Sequence, residues 1–223
     1  LGIAVSEMIK SSLFPNAIEF VDGKCISAVG EKIAPFLPKD TEAFLLVEFD
    51  RFGPEFERQV EIAYEIFQKT PHWKCSLRRM KGQDRGFGPQ GGGFYSLESL
   101  GKLIRHEDVV VPRLKIPDLI AYTEEIERKT GLKVASFGHA ADGNIHVNIL
   151  YEEDQKEIME RAVDMVIDKV WELGGTASGE HGIGLIKKKH LLLEQGEALV
   201  RLQREIKRVF DPKNLFNSDK VFP

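Results

Sequence analysis

Cysteine is scarce: the 223-residue chain has two, Cys25 and Cys75, and neither belongs to a Cys-x-x-Cys pair or sits in a nucleophile's setting. That scarcity argues for a reducing cytoplasm, with both thiols acting as buried apolar side chains. Positive charge is not in excess either. Thirty-one Lys and Arg face thirty-five Asp and Glu, a net charge of −4, and no basic block is interleaved with aromatics. Nucleic acid is therefore excluded as a partner. No apolar run approaches the ~18 residues of a membrane span. The N-terminus lacks the charged start and cleavage site of a signal peptide. There is no P-loop and no Gly-x-Ser-x-Gly elbow. The one literal G-x-G-x-x-G, Gly86 to Gly91, contains Pro89, follows no strand and opens no helix, so it is not a dinucleotide fingerprint.

What is present is an ordinary globular composition, 42% hydrophobic and 30% charged. It suffices for a substantial core, as one large domain or two closely packed halves. Residue 1 is not Met, and the first residues read as an amphipathic helix with no N-cap before it. The chain thus reads as a piece beginning inside an element. Helical periodicity is expected over residues 2–12, Lys24–Leu37, Pro54–Lys69, Ile116–Thr130 and Gln155–Leu173, then Leu185–Glu194 and Glu197–Phe210. The third of these should place Phe56, Val60, Ala63, Tyr64 and Phe67 on one face. Strands are expected at Ala17–Val21, Glu42–Phe49, Asp108–Pro112, Lys133–Phe137 and Ile145–Tyr151, the last two as a hairpin. Between Thr70 and Leu100 the pattern dissolves into a long segment with Arg78, Arg79, Arg85 and Gly91–Gly93, the mark of a functional loop. The order predicts an α+β fold: a largely antiparallel sheet with helices packed on one face, ferredoxin-like halves and C-terminal helices.

His139 and His146 flank the turn chemistry of Asp142-Gly143-Asn144. Residues equidistant from a hairpin turn face each other, which would bring both imidazoles within reach of one ion. Two histidines that merely bond to backbone are the plainer alternative. A second cluster, Glu180-His181, lies in Gly174–Gly184, where five of eleven residues are glycine. Such a run is costly in a helix or strand but tolerable where backbone approaches a ligand closely; a flexible connector is the plainer alternative. Neighbours on extended backbone point opposite ways, so Glu180 could ligate an ion while His181 faces a substrate hydroxyl. Imidazoles and a carboxylate suit a divalent metal, zinc foremost, with one position left open.

Three segments carry a family resemblance: Gly138–His146, Gly175–Gly184 and Asp211–Lys220, supported by Pro15–Asp22 and Glu107–Pro112. In that order they resemble signatures of the FAD-linked oxidase C-terminal domain, the cap or substrate domain of D-lactate dehydrogenases, the glycolate oxidase flavin subunit and D-2-hydroxyglutarate dehydrogenase. The resemblance implies that residues 1–223 form that domain without the N-terminal FAD-binding domain and without the first cap strand. Residues 185–223 would be its helical segment and flavin-approaching tail. It implies FAD as cofactor, a small 2-hydroxy acid as substrate, oxidation to the 2-keto acid, and an electron-acceptor partner. Position by position, His139, His146 and Glu180 match the metal ligands of metal-dependent members and His181 the general base. Asn148 matches a substrate contact, and Asn217 and Lys220 approach the flavin ring. A loop arginine, Arg78 or else Arg79 or Arg85, would clamp the substrate carboxylate. Three positions depart from the family pattern. Trp73 and Arg78 are five apart instead of three, Ala141 replaces a glycine, and Ser218-Asp219 replaces Pro-Gly. A non-catalytic organic-acid-binding or subunit-interaction module, and a metal hydrolase, are the competing readings. A cytoplasmic location, or peripheral membrane attachment through a partner, follows.

Overall fold

The computed structural model describes residues 2–11, 13, 15–29, 37, 40–49, 54–69, 97 and 103–223. Its strands are β1 (Ala17–Asp22), β2 (Ala43–Glu48), β3 (Leu103–Val110), β4 (Lys133–His139) and β5 (Asn144–Tyr151). They form one antiparallel sheet in the order β2-β1-β4-β5-β3. The helices are α1 (Gly2–Lys10), α2 (Gly23–Val29), α3 (Pro54–Lys69), α4 (Ile116–Thr130), α5 (Lys156–Glu172) and α6 (Lys188–Phe210). The α+β expectation holds, and the two halves share a single sheet. Its second half, β3-α4-β4-β5-α5, follows ferredoxin order. After α5 the chain returns beside β3 through an isolated antiparallel bridge, Val110 to Thr176.

Period-2 alternation decides what each face meets. Ile18 and Phe20 of β1, Val134 of β4, and Ile145, Val147 and Ile149 of β5 point to one face. There they join Ala4, Val5 and Met8 of α1, Phe67 of α3, Leu119 and Ile126 of α4, and Val163, Val166 and Val170 of α5. This is the main core, and its non-directional burial holds the helices down. The opposite face presents Val21, Ala135 and Leu150, and against them lie Cys25 of α2 and Leu97. The expectation that all helices share one face is thus corrected at α2. This helix follows β1 without a linker and is capped by Asp22, whose Oδ1 accepts the Cys25 N–H at 2.8 Å. That tight exit turns its apolar side onto the second face. Cys25 is fully buried, as expected, and burial pushes its thiol pKa up; Cys75 lies outside the described residues.

Several boundaries match and a few shift. α4 has proline in its first turn and ends at Gly131 with φ 73°, the left-handed conformation glycine adopts without penalty. The two expected C-terminal helices abut at Gly196, whose φ of 74° interrupts one continuous stretch. On α3, the buried stripe runs through Gln59, Ala63 and Phe67 at i, i+4 and i+8, and Tyr64, one residue off that line, turns outward. β3 begins five residues before the expected start at Asp108, since Arg105 and Glu107 satisfy each other across 2.7 Å and let polar residues enter the strand. The expected helix beyond Val29 lies outside the described residues. So do Trp73, Arg78, Arg79, Arg85 and Gly91–Gly93. No helix among the described residues is long and apolar enough to cross a membrane.

A candidate active site on the open sheet face

The part of the second face that α2 leaves uncovered is polar. The turn Ala140–Gly143 is closed by Asp142 and Gly143 N–H groups donated to the His139 carbonyl at 3.0 and 3.1 Å. Gly143 has φ 82° and passes so close to the Val111 carbonyl that a Cβ there would collide with it. The hairpin register pairs His139 with Asn144 and His146 with Phe137. The two histidines are therefore diagonal neighbours on one face, with ring centroids 5.6 Å apart, and not the directly facing pair that equal spacing from the turn predicts.

The glycine-rich segment after α5 crosses this face at the β3 side and delivers Glu180 and His181. The His181 ring stacks on His146 with centroids 5.4 Å apart. Glu180 Oε1 lies 3.5 Å from His146 Nε2, 3.9 Å from His181 Nε2 and 4.0 Å from His139 Nε2. Three imidazole nitrogens thus surround one carboxylate oxygen. Within this group the donors of Asp108, His146, Glu180 and His181 all lie within 4.8 Å of one another, while His139 joins them through Glu180. Glu180 and His181 are half exposed and His146 is buried.

The polar partners of each ring set its protonation. His139 Nδ1 is 2.8 Å from both carboxylate oxygens of Glu19, and that hydrogen bond holds the His139 pKa above the usual imidazole value. Burial pushes His146 below it, which favours the neutral ring that a cation requires. Asn148 is fully buried, and its Nδ2 donates to the carbonyls of Ala135 and His146 at 3.1 and 3.2 Å. With both amide protons used, its Oδ1 is the acceptor for His106 Nδ1 at 2.5 Å. His106 stands exposed on the same face, one strand over from Asn148.

Five of the expected site residues, His139, His146, Asn148, Glu180 and His181, therefore share one locality. Asn217 and Lys220 lie in the exposed tail after α6, and the tail is tied back to that helix by Lys188 Nζ donating to the Asp219 carbonyl at 3.0 Å. No contact among the described residues links them to the imidazoles. Arg78 is outside the described residues. Sequence reasoning missed Glu19, His106 and Asp108. The signal at Glu19 was a carboxylate in a mostly apolar strand, which needs a polar partner when buried; the polar run Arg105–Asp108 inside β3 was the signal for His106 and Asp108.

The architecture defines an α+β domain with its helical layer on one side and convergent imidazoles and carboxylates on the other. The chain belongs to the family of FAD linked oxidases, C-terminal domain, whose model matches residues 2–221. It is 29% identical over 98% of its length to glycolate oxidase subunit GlcD of Bacillus subtilis, covering 47% of that protein. It is 32% identical over 96% of its length to a D-lactate dehydrogenase of Archaeoglobus fulgidus, again covering 47% of the relative. The chain thus spans about half the length of the curated relatives it matches. Among solved structures, p-cresol methylhydroxylase with substrate bound superposes with a TM-score of 0.61 at 14% identity, over 97% of this chain and 48% of that one, a likeness of fold.

Proposed function

We propose that this domain is the substrate-binding and catalytic half of a flavin-dependent oxidoreductase that converts a small 2-hydroxy acid, of the lactate or glycolate type, to its 2-keto acid. The observation that carries the reading is the convergence of His139, His146 and His181 Nε2 atoms on Glu180 Oε1 at the uncovered sheet face. Membership of the FAD-linked family supplies the flavin, held mainly by the half that the longer relatives possess.

The donor set fits a divalent ion. Nitrogen and carboxylate oxygen donors are what zinc takes, burial favours the neutral form of His146, and Glu19 backs the far edge of His139. His139, His146 and Glu180 would hold the ion. When bound, the flavin accepts a hydride and the ion acts as a Lewis acid on substrate oxygens. The residues of the chain do the rest. His181, more than half exposed and beside the ligand cluster, takes the hydroxyl proton onto its imidazole as the C–H electron pair leaves, a contribution of about 10²–10⁴-fold. His106, fixed by Asn148, lines the same face for the remainder of the acid. By the family resemblance, Asn217 and Lys220 of the tail would approach the flavin, and a loop arginine, Arg78, Arg79 or Arg85, would clamp the carboxylate. The electron acceptor is a separate redox partner, reached from a cytoplasmic or membrane-peripheral location.

The test uses the full-length protein. His181→Ala should abolish turnover of D-lactate and glycolate while the visible flavin spectrum stays unchanged, and elemental analysis should find one divalent ion. Turnover undiminished by that substitution sinks the assignment.

A further inference from the structure

Asp108 is the buried carboxylate of the site, with a side chain 1% exposed, and stands opposite His146 in the β3–β5 register. Its Oδ2 accepts three consecutive backbone N–H groups: Gly179 at 3.0 Å, Glu180 at 2.8 Å and His181 at 2.8 Å. Successive N–H groups curving onto one point make an anion cradle. Here the cradle is filled by the protein's own carboxylate. The other oxygen, Oδ1, is buried without a hydrogen-bond partner and lies 3.9 Å from His146 Nδ1. Above it, Gly179 leaves no room: a Cβ at that position would fall 2.6 Å from Asp108 Oδ1 and 2.8 Å from both amide atoms of Asn144.

These observations separate a ligand from a holder. An oxygen that already accepts three N–H groups has no lone pair to offer an ion, and Oδ1 is roofed by Gly179. The glycine is also what allows the loop to come this close. Moving Glu180 or His181 would strip hydrogen bonds from a buried carboxylate, a group expensive to leave unpaired.

We propose that Asp108 is the positioning residue of the site: one carboxylate oxygen fixes the backbone that bears Glu180 and His181, while the other faces the Nδ1 edge of His146, so that loop and hairpin are registered to each other through a single side chain. The proposal deepens the function argued above and rests on it for what the site holds. The Oδ1 charge 3.9 Å from Nδ1 favours the tautomer with its proton on that edge and Nε2 free, and losing an outer-shell partner of a ligating histidine typically costs about 10–100-fold in metal affinity.

The experiment compares full-length wild type, Asp108→Ala, Asp108→Asn and Gly179→Ala. Two readouts are taken: deuterium exchange of the amides at 179–181 against those of α5, and Co²⁺ affinity of the metal-depleted protein followed by visible absorption. Asp108→Ala should deprotect 179–181 while α5 stays protected, and weaken Co²⁺ binding about 10–100-fold. Asp108→Asn, which keeps an acceptor oxygen, should recover part of both. If Asp108→Ala does not fold, Gly179→Ala, which wedges a methyl between loop and carboxylate, should move both readouts in the same direction. Wild-type protection at 179–181 in the folded variants overturns the proposal. A wild-type protein that binds no Co²⁺ overturns the metal reading instead, and amide protection then decides the role of Asp108 alone.

Discussion

Glu19 and His139 face each other across the β1–β4 ladder, with both carboxylate oxygens 2.8 Å from the imidazole Nδ1. The contact spans 120 positions of sequence and fixes which nitrogen points outward. With Nδ1 turned to Glu19, Nε2 is the nitrogen that faces Glu180, the orientation a ligand needs. Glu19→Ala should therefore lower the divalent-ion affinity of the full-length protein by about 10–100-fold. Glu19→Gln, which retains an acceptor, should fall between. Competition against a chromophoric chelator measures this, and identical affinity in all three proteins would remove Glu19 from the site.

How much of this was legible in the chain depends on whether a residue's partner is local. The turn at Asp142-Gly143-Asn144 is local chemistry, so the hairpin and its two histidines could be read directly. Their register could not. Four residues, Ala140 to Gly143, form the turn, and they set His139 against Asn144, a slip that spacing alone does not reveal. Glu180-His181 stood out because glycines surround it. Asp108 and Glu19 did not, because a carboxylate within a strand acquires meaning only when the face it points to and the element crossing that face are both known. Tyr64 shows the same limit on a helix: it is expected on the buried stripe, but the stripe runs through Gln59, Ala63 and Phe67, a rotation that only the packing partners fix.

Glu194 gives the glycine-rich loop a pH dependence. On α6, its carboxylate accepts from Trp171 Nε1 at 2.9 Å, Thr176 Oγ1 at 2.5 Å and the Ala177 N–H at 2.8 Å. Burial works to raise its pKa, and these three bonds outweigh that effect and bring it below the ordinary 4.5. A folded-state pKa below the unfolded one means that the unfolded chain binds the proton more readily. The stabilisation is thus complete above 4.5 and lost as pH falls through the folded value. Urea midpoints followed by tryptophan fluorescence should drop from neutral pH into that range, and Glu194→Gln should flatten the drop. Parallel slopes for the two proteins would show that Glu194 contributes nothing to it.

Lys187 pins the same loop from beneath. Its ammonium, 7% exposed, donates to the carbonyls of Asp108 at 2.5 Å and Ala177 at 2.6 Å and stands 3.6 Å from Glu107 Oε2. Glu107 is itself 1% exposed and is shared with Arg105 at 2.7 Å. Burial lowers the Lys187 pKa, with the neighbouring carboxylates pulling the other way, so the group is held by its partners and not by water. Lys187→Met fits the space but strands two carbonyls and half of a buried carboxylate, a loss of about 3–5 kcal/mol when one member of a buried charged cluster is removed. The double variant Lys187→Met with Glu107→Gln should be less unstable than the sum of the two single changes, because the second substitution removes the charge that the first left unpaired. Chemical denaturation of the four proteins closes this cycle. Strict additivity, or a Lys187→Met cost within about 0.5 kcal/mol of zero, the range of ordinary surface substitutions, would mean that the loop is held by its glycines and Asp108 without help from the lysine.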